Sequence, residues 1–221
     1  TLPSASSPIA FVFGAEYRKE TFEALADDSL HQGDILGRTQ QSDTMGSYNV
    51  KDVFTEAVVP LVDGWTMVDS LSAELGYRHS EYDRSGSHDT WKIGLNYRPI
   101  HELKLRGGFN RAVRSPNVEE LFLPQSASLW NGADPCAGAN PVLTAEQCAR
   151  TGVRPERYGL VSSNPVGQFN MVVGGNPQLQ PETADTWTVG LVASPLERLN
   201  VSVDYWAIQI DDVIGLIDPQ T

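Results

Sequence analysis

Apolar and polar residues alternate with period two over segments of about ten residues. That pattern belongs to β-strands with one greasy and one wet face, and about ten residues is what a tilted strand needs to cross a bilayer. From Trp91 to Arg98, the residues Trp91, Ile93, Leu95 and Tyr97 alternate with Lys92, Gly94, Asn96 and Arg98. An aromatic stands at each end of the apolar set, as at two membrane interfaces. Leu71, Ala73, Leu75 and Tyr77 repeat the pattern against Ser72, Glu74, Gly76 and Arg78, and Leu103, Leu105, Gly107 and Phe109 repeat it against Lys104, Arg106, Gly108 and Asn110. So do Ile9, Phe11, Phe13, Ala15 and Tyr17 near one terminus, and Leu199, Val201, Val203 and Tyr205 near the other, where the wet parity ends on Trp206. Lys51 to Val59 and Thr186 to Ala193 alternate less cleanly. The expectation is an all-β chain of about seven antiparallel strands in an up-and-down meander.

Composition agrees. Hydrophobic residues make up 40%, with 19 Gly and 14 Pro, which suits short strands and turns better than a helical bundle. No run approaches the roughly 18 uncharged apolar residues of a membrane-spanning helix, so a membrane role would come through a barrel or the surface. A formal charge of -12 argues against a nucleic-acid partner, since a phosphate backbone calls for a basic face.

The connections differ in length. Short turns are expected at Pro60 to Gly64, Pro99 to Glu102 and Ser194 to Arg198, and long loops at about residues 20–46 and 116–181. Short turns on one side and long loops on the other describe a barrel in the outer membrane of a Gram-negative bacterium, its long loops extracellular. The second loop is longer than a compact soluble domain tolerates without structure of its own. It holds Cys136 and Cys148, which in an oxidising compartment form a local disulfide; two unpaired thiols are the alternative. Thr144-Ala145-Glu146-Gln147 has capping-box spacing, and a helix starting there would carry Cys148 towards Cys136. The opening Thr1-Leu2-Pro3-Ser4 lacks an initiator Met, a basic n-region and an apolar h-region, so the expectation is a piece of a longer exported chain.

Two segments carry a family likeness. Phe109-Asn110-Arg111-Ala112-Val113-Arg114-Ser115-Pro116-Asn117-Val118-Glu119-Glu120-Leu121-Phe122 resembles a strand end and loop start of TonB-dependent receptor barrels, with the family's Arg-x-Pro-x-x-x-Glu-Leu pattern on Arg114, Pro116, Glu120 and Leu121. Gly175 to Thr183 resembles the family's Asn-Pro-x-Leu-x-Pro-Glu motif on Asn176, Pro177, Leu179, Pro181 and Glu182. Weaker likenesses are Glu56-Ala57-Val58-Val59-Pro60-Leu61 and the cysteine-bearing loop. The resemblance implies residues 1–221 to be part of a closed barrel of about 22 strands with a plugged lumen. It also implies substrate-specific active transport of a scarce nutrient, such as a siderophore, cobalamin or oligosaccharide, energised through TonB. The implied partners are a plug domain, the TonB complex, outer-membrane lipid and a small nutrient ligand. Plug, TonB box and a terminal aromatic are absent, and the chain ends Asp218-Pro219-Gln220-Thr221, so the expectation is an incomplete barrel segment. A passive porin-like barrel would share the strands but not both motifs. A secreted β-rich binding module would pack its apolar parity inwards.

Other chemistry is weak in this sequence. His31, His79, His88 and His101 lack metal-ligand spacing, Asp27-Asp28 and Asp211-Asp212 lie in no calcium loop, and no nucleophile elbow occurs. No enzyme, cofactor or metal site is expected. Arg78, Lys92, Lys104 and Arg106 share the wet parity while the acidic residues gather in loops. These lumen-facing candidates would attract an acidic plug surface or an anionic substrate, or are simply hydrated wall residues. Glu182 is expected to pair with Arg111 or Arg114, where the long loop begins.

Overall fold

The computed structural model describes residues 1–37 and 39–217; the chain end Asp218 to Thr221 lies outside them. Seven strands form one antiparallel sheet in the order β1 (Ala10–Ala24), β2 (Thr44–Trp65), β3 (Val68–Tyr82), β4 (Gly86–Ile100), β5 (Leu103–Arg114), β8 (Glu182–Leu196) and β9 (Leu199–Asp211). Every neighbour in the sheet is the next of these strands along the chain, as an up-and-down meander requires. The chain divides into two units. One comprises Thr1–Phe22, Met45–Leu121 and Asn176–Ile214, and holds this sheet. The other holds Glu23–Thr44, Phe122–Gly175 and the residues from Gly215.

Register sorts the side chains by parity. Trp91 opposes Tyr77 and Arg111, Ile93 opposes Leu75 and Phe109, and Leu95 opposes Ala73 and Gly107. Phe109 in turn opposes Trp187, and Leu105 opposes Leu191. One face is therefore apolar across five strands, and it is bare: Phe13 is 70% exposed, Trp187 61% and Tyr205 69%. Near its loop end the rings of Trp91, Phe109 and Trp187 form a row, with centroids 4.8 and 4.4 Å apart. Tyr97 marks the turn end and donates its hydroxyl to the Met67 carbonyl. The opposite face carries the wet parity and opens into shallow cavities.

The turn expected at Pro60 to Gly64 lies later. A bulge between Pro60 and Val62 carries β2 on to Trp65, and the chain reverses at Thr66 and Met67, where Met67 takes φ 63°. A proline is tolerated in a strand at such an irregularity, where the ladder is already interrupted. The turns expected around Pro99 to Glu102 and Ser194 to Arg198 are reversals at His101-Glu102 and Glu197-Arg198. The loop expected at residues 20–46 narrows to residues 25–43, because β1 runs on to Ala24 and β2 starts at Thr44. On the same side, β3 and β4 are joined by only Asp83 to Ser85.

The second unit has structure of its own. Helix α1 (Asp28–Gln32) is capped by the Asp27 carboxylate, which accepts from the Ser29 N–H, and stops at Gly33 in the left-handed region. Inside the long loop, β6 (Ser126–Asn131) and β7 (Gln168–Val173) pair as a separate two-stranded ladder. Cys136 and Cys148 are bonded and buried. Helix α3 (Ala145–Arg150) brings Cys148 to its partner and starts with a complete capping box between Thr144 and Gln147. The bridge closes a loop with a sequence separation of 12, so replacing both cysteines with alanine should cost about 2–3 kcal/mol of local stability. Hydrogen exchange should quicken from Asp134 to Val153 and stay unchanged in β3 and β4. Equal loss in those strands would show that the bridge supports more than its loop.

Candidate functional site

The two motif segments meet at the neck of the long loop. Arg114 ends β5 directly opposite Glu182, which begins β8. The Arg114 guanidinium donates from Nε to Glu182 Oε2 at 2.7 Å and from Nη2 to Glu182 Oε1 at 2.8 Å. It also donates from Nη1 and Nη2 to Glu120 at 3.0 and 3.1 Å. Planar forks suit such bidentate contacts, which fix direction as well as distance. The second candidate partner, Arg111, engages Asp185 instead, at 2.7 and 2.6 Å.

Glu120 sits where it does because helix α2 (Val118–Phe122) starts with a reciprocal cap. The Asn117 side chain accepts from the Glu120 N–H, and the Glu120 carboxylate accepts from the Asn117 N–H. Pro116, Val118 and Leu121 are buried around this start. On the return side the Glu120 carbonyl accepts from the Asn176 N–H. Asn176 then makes an Asx turn with the Gln178 N–H and accepts from Leu179 through its carbonyl. Pro177 and Pro181 restrict the residues before them to extended conformations, which leads the chain straight into β8. Beyond β9, Asp212 adopts φ 57° and the Ile214 N–H donates to Glu182 Oε1 at 2.7 Å. One glutamate thus touches the start of the long loop, its end and the segment leaving β9.

Burial is the largest single influence on the Glu120 carboxyl and acts to raise it. The Arg114 hydrogen bonds and the Asn117 N–H outweigh that and hold it below its ordinary value. A depressed carboxyl stabilises the folded form above its unfolded pKa and loses that contribution as pH falls through its folded one. The neck should therefore hold at neutral pH and begin to loosen as pH falls below the ordinary carboxyl value of 4.5, with smaller protection factors, corrected for the intrinsic pH dependence of exchange, at Glu120 and Leu121. Protection factors that rise on acidification would reverse the sign.

The wet parity of the sheet forms a polar wall, and three of its four candidate bases are met by acids from other strands. Arg78 donates to Asp52 at 3.2 Å, lies 3.6 Å from Glu16 and covers the Phe54 ring at 4.8 Å. Lys92 pairs with Glu56 at 3.0 Å, and Arg106 makes a bidentate pair with Asp204. Gly76 and Gly190 leave the room these long side chains occupy, since a Cβ there would meet Lys92 and Arg106. Lys104 lines the wall near Glu74 and Arg98 without an ion pair among the described residues. The expectation that acidic residues gather in loops is thus corrected for this face, which is charge-balanced rather than basic. The sequence shows a base's parity; it does not show which acid lies across a neighbouring strand.

Three of the four histidines have local partners. His31 contacts Asp43, His79 contacts Asp89, and His88 contacts the Ser85 carbonyl. The Ala26 N–H and then His31 hold the Asp43 carboxyl below the usual range. Among the described residues no group of three or more His, Cys, Asp or Glu is arranged to hold a metal ion.

The family profile described as TonB dependent receptor-like, beta-barrel matches residues 3–221. The siderophore receptor PirA from Acinetobacter baumannii is similar in structure, with TM-score 0.58 and 18% identity over 95% of this chain and 25% of that one. The ferric enterobactin receptor PfeA from Pseudomonas aeruginosa, as a Q482A mutant in complex with enterobactin, has TM-score 0.61 and 17% identity over 93% and 25%. Its R480A_Q482A mutant gives 0.60 and 16% over 93% and 24%. The chain spans about a quarter of the length of these structures. No curated protein matches the sequence.

Proposed function

From the membership of this chain in the TonB-dependent receptor-like β-barrel family, we propose that it forms part of the wall of an outer-membrane receptor, which takes up a scarce small nutrient with energy delivered through TonB. The bare apolar face carries the reading. A sheet that leaves Trp187 and Tyr205 mostly exposed on one side, with ion pairs on the other, suits lipid outside and a polar lumen inside. A secreted sandwich would bury that apolar face in its core. A passive porin would share both faces, but not the two motif segments at one loop neck.

In this reading the plug lies against the polar wall, and the long loops are extracellular and bind the nutrient. The similar structures are named as siderophore receptors, which makes a siderophore the first substrate to try; cobalamin and oligosaccharides come after it. Barrel and loops bind and admit the ligand, and no bond in it is made or broken. The test is uptake of a labelled ferric siderophore by Gram-negative cells expressing the intact receptor, with and without TonB. Uptake that disappears without TonB supports the proposal. Uptake that is indifferent to TonB and non-saturable would return the porin.

A further inference from the structure

Two ion pairs of the polar wall reach over a whole strand. Glu56, Gly76 and Lys92 stand in one row across β2, β3 and β4, and Lys92 Nζ donates to Glu56 Oε2 at 3.0 Å across the glycine. Arg106, Gly190 and Asp204 repeat the arrangement across β5, β8 and β9, with contacts of 2.9 and 2.7 Å. Adjacent strands lie about 4.8 Å apart, so the backbones of each pair are about 10 Å apart, and the side chains span that distance by lying along the sheet. The middle residue has to be small for this. A Cβ on Gly76 would come within 2.7 Å of Lys92 Cε and 2.8 Å of its Cγ, and one on Gly190 would overlap the Asp204 carboxylate and come within 2.8 Å of Arg106 Nε.

Neither glycine adopts a positive φ, so backbone conformation does not call for glycine at either place. Glycine inside a strand weakens it and marks a close approach. Stability does not account for the two pairs, because the four side chains are between 41% and 56% exposed and ion pairs so exposed contribute little. What the pairs fix is where two positive charges stand. Lys92 and Arg106 border one cavity of about 540 Å³, and between them its floor is Gly94 opposite Gly108. The charged residues of that cavity are Lys92, Lys104 and Arg106 against Glu74 and Asp204, with Glu56 reaching Lys92 from the next strand but one. Charge is balanced there only while both bases lie flat on their acids.

We propose that Gly76 and Gly190 are positioning residues for uptake: each leaves room for a base to lie flat on its acid, which keeps the passage along this wall open and free of projecting positive charge. A side chain at either position lifts the base from its acid into the passage. There it holds an acidic plug surface or an anionic substrate and slows passage. The inference rests on the reading of the polar face as a receptor's inner wall.

The test uses the intact receptor with Gly76→Ala and Gly190→Ala. Geometry is read on receptor purified in detergent, by acetylation with N-hydroxysuccinimidyl acetate and mass spectrometry, with Lys104 on the same wall as the internal reference. The ratio of Lys92 to Lys104 labelling rates should rise about threefold in Gly76→Ala, where the ion pair that shields the amine is broken, and keep its wild-type value in Gly190→Ala. Function is read as TonB-dependent uptake of a labelled ferric siderophore, per receptor in the outer membrane. Both variants should lower the maximal rate about fivefold, the weight of one exposed ion pair on a barrier, with half-saturation within about twofold of wild type because the loops are untouched. Removing the lifted base should restore the rate, in Gly76→Ala with Lys92→Gln and in Gly190→Ala with Arg106→Gln, whereas a merely distorted strand would stay slow. An unchanged labelling ratio, maximal rates equal to wild type, or slow variants that the second substitution does not restore would overturn the role. If Gly190→Ala fails to assemble, the Gly76 variants decide. A wild-type receptor without TonB-dependent uptake of this probe would remove the transport reading instead, and the labelling ratio alone would then decide whether Gly76 holds its base flat.

Discussion

Replacing Arg114 with alanine in the intact receptor is expected to lower substrate affinity ten- to a hundredfold while the barrel still assembles. The substitution leaves Glu120 and Glu182 on either side of the space the guanidinium filled. Two carboxylates without their shared counter-charge repel, and the loop neck opens. An exposed ion pair contributes only about 0–1 kcal/mol, so barrel stability should change little. Substrate binding should change more, because a loop displaced by even an ångström misplaces its contacts. Glu182→Gln removes the charge but keeps an oxygen for the Ile214 N–H, and its expected loss is smaller, about three- to tenfold on the same reasoning. The double variant should fall short of the sum of the single effects, because both act on one network. Binding and uptake at wild-type levels in Arg114→Ala, or failure of the barrel to assemble, would sink the positioning role.

The second large effect concerns the two faces. Leu95 and Asn96 are neighbours in β4, one on the apolar parity between Ile93 and Tyr97, the other bonded to Glu74 across the polar wall. Leu95→Arg in the intact receptor should cost about 2–4 kcal/mol of folding free energy in lipid vesicles, since it places a charge near the middle of the lipid-facing band. Asn96→Arg should change stability by no more than about 0.5 kcal/mol, the usual range for a solvated surface position. Urea titration of folding into vesicles reads both. Equal costs, or the reverse order, would mean that the faces are assigned the wrong way round, because a one-residue slip exchanges every side chain.

Most of the sheet is legible in the sequence because strands with one apolar and one polar face repeat every second residue with few exceptions. Trp91 to Tyr97 is readable for that reason. Where the pattern fails, geometry intervenes. The bulge after Pro60 shifts the parity of β2, so Pro60 and Gly64 read as a turn several residues early. In β9 the wet parity passes through Asp204 to Trp206, Ile208 and Ile210, which pair with Thr188, Thr186 and Ala184 on the polar wall. An apolar run on both parities has no preferred face in a one-dimensional reading. The β6–β7 ladder was missed because its two strands alternate over only six residues each and lie far apart in the chain. The loop neck was half legible. Motif order placed Glu182 near two arginines, but only the register, which puts Arg114 opposite Glu182 and Arg111 opposite Asp185, distinguishes them. The buried Asp52 gave no signal at all, since burial of a single aspartate depends on Arg78 and Ser80 arriving from the paired strand β3.

The placement of the neck residues bears on how such a receptor can change over evolutionary time. The long loop leaves and rejoins the sheet at Arg114 and Glu182, two residues already held side by side by the ladder. Closing a chain between such fixed points depends only weakly on its length, with each doubling adding about 0.6 kcal/mol. The residues between the two neck segments, from Leu123 to Gly175, can therefore lengthen, shorten or be exchanged as a cassette without disturbing the strands on either side, provided the neck residues Arg114 to Phe122 and Asn176 to Glu182 remain. On the proposed function, new ligand specificities would then arise by recombination at this one neck, with no need to redesign the wall.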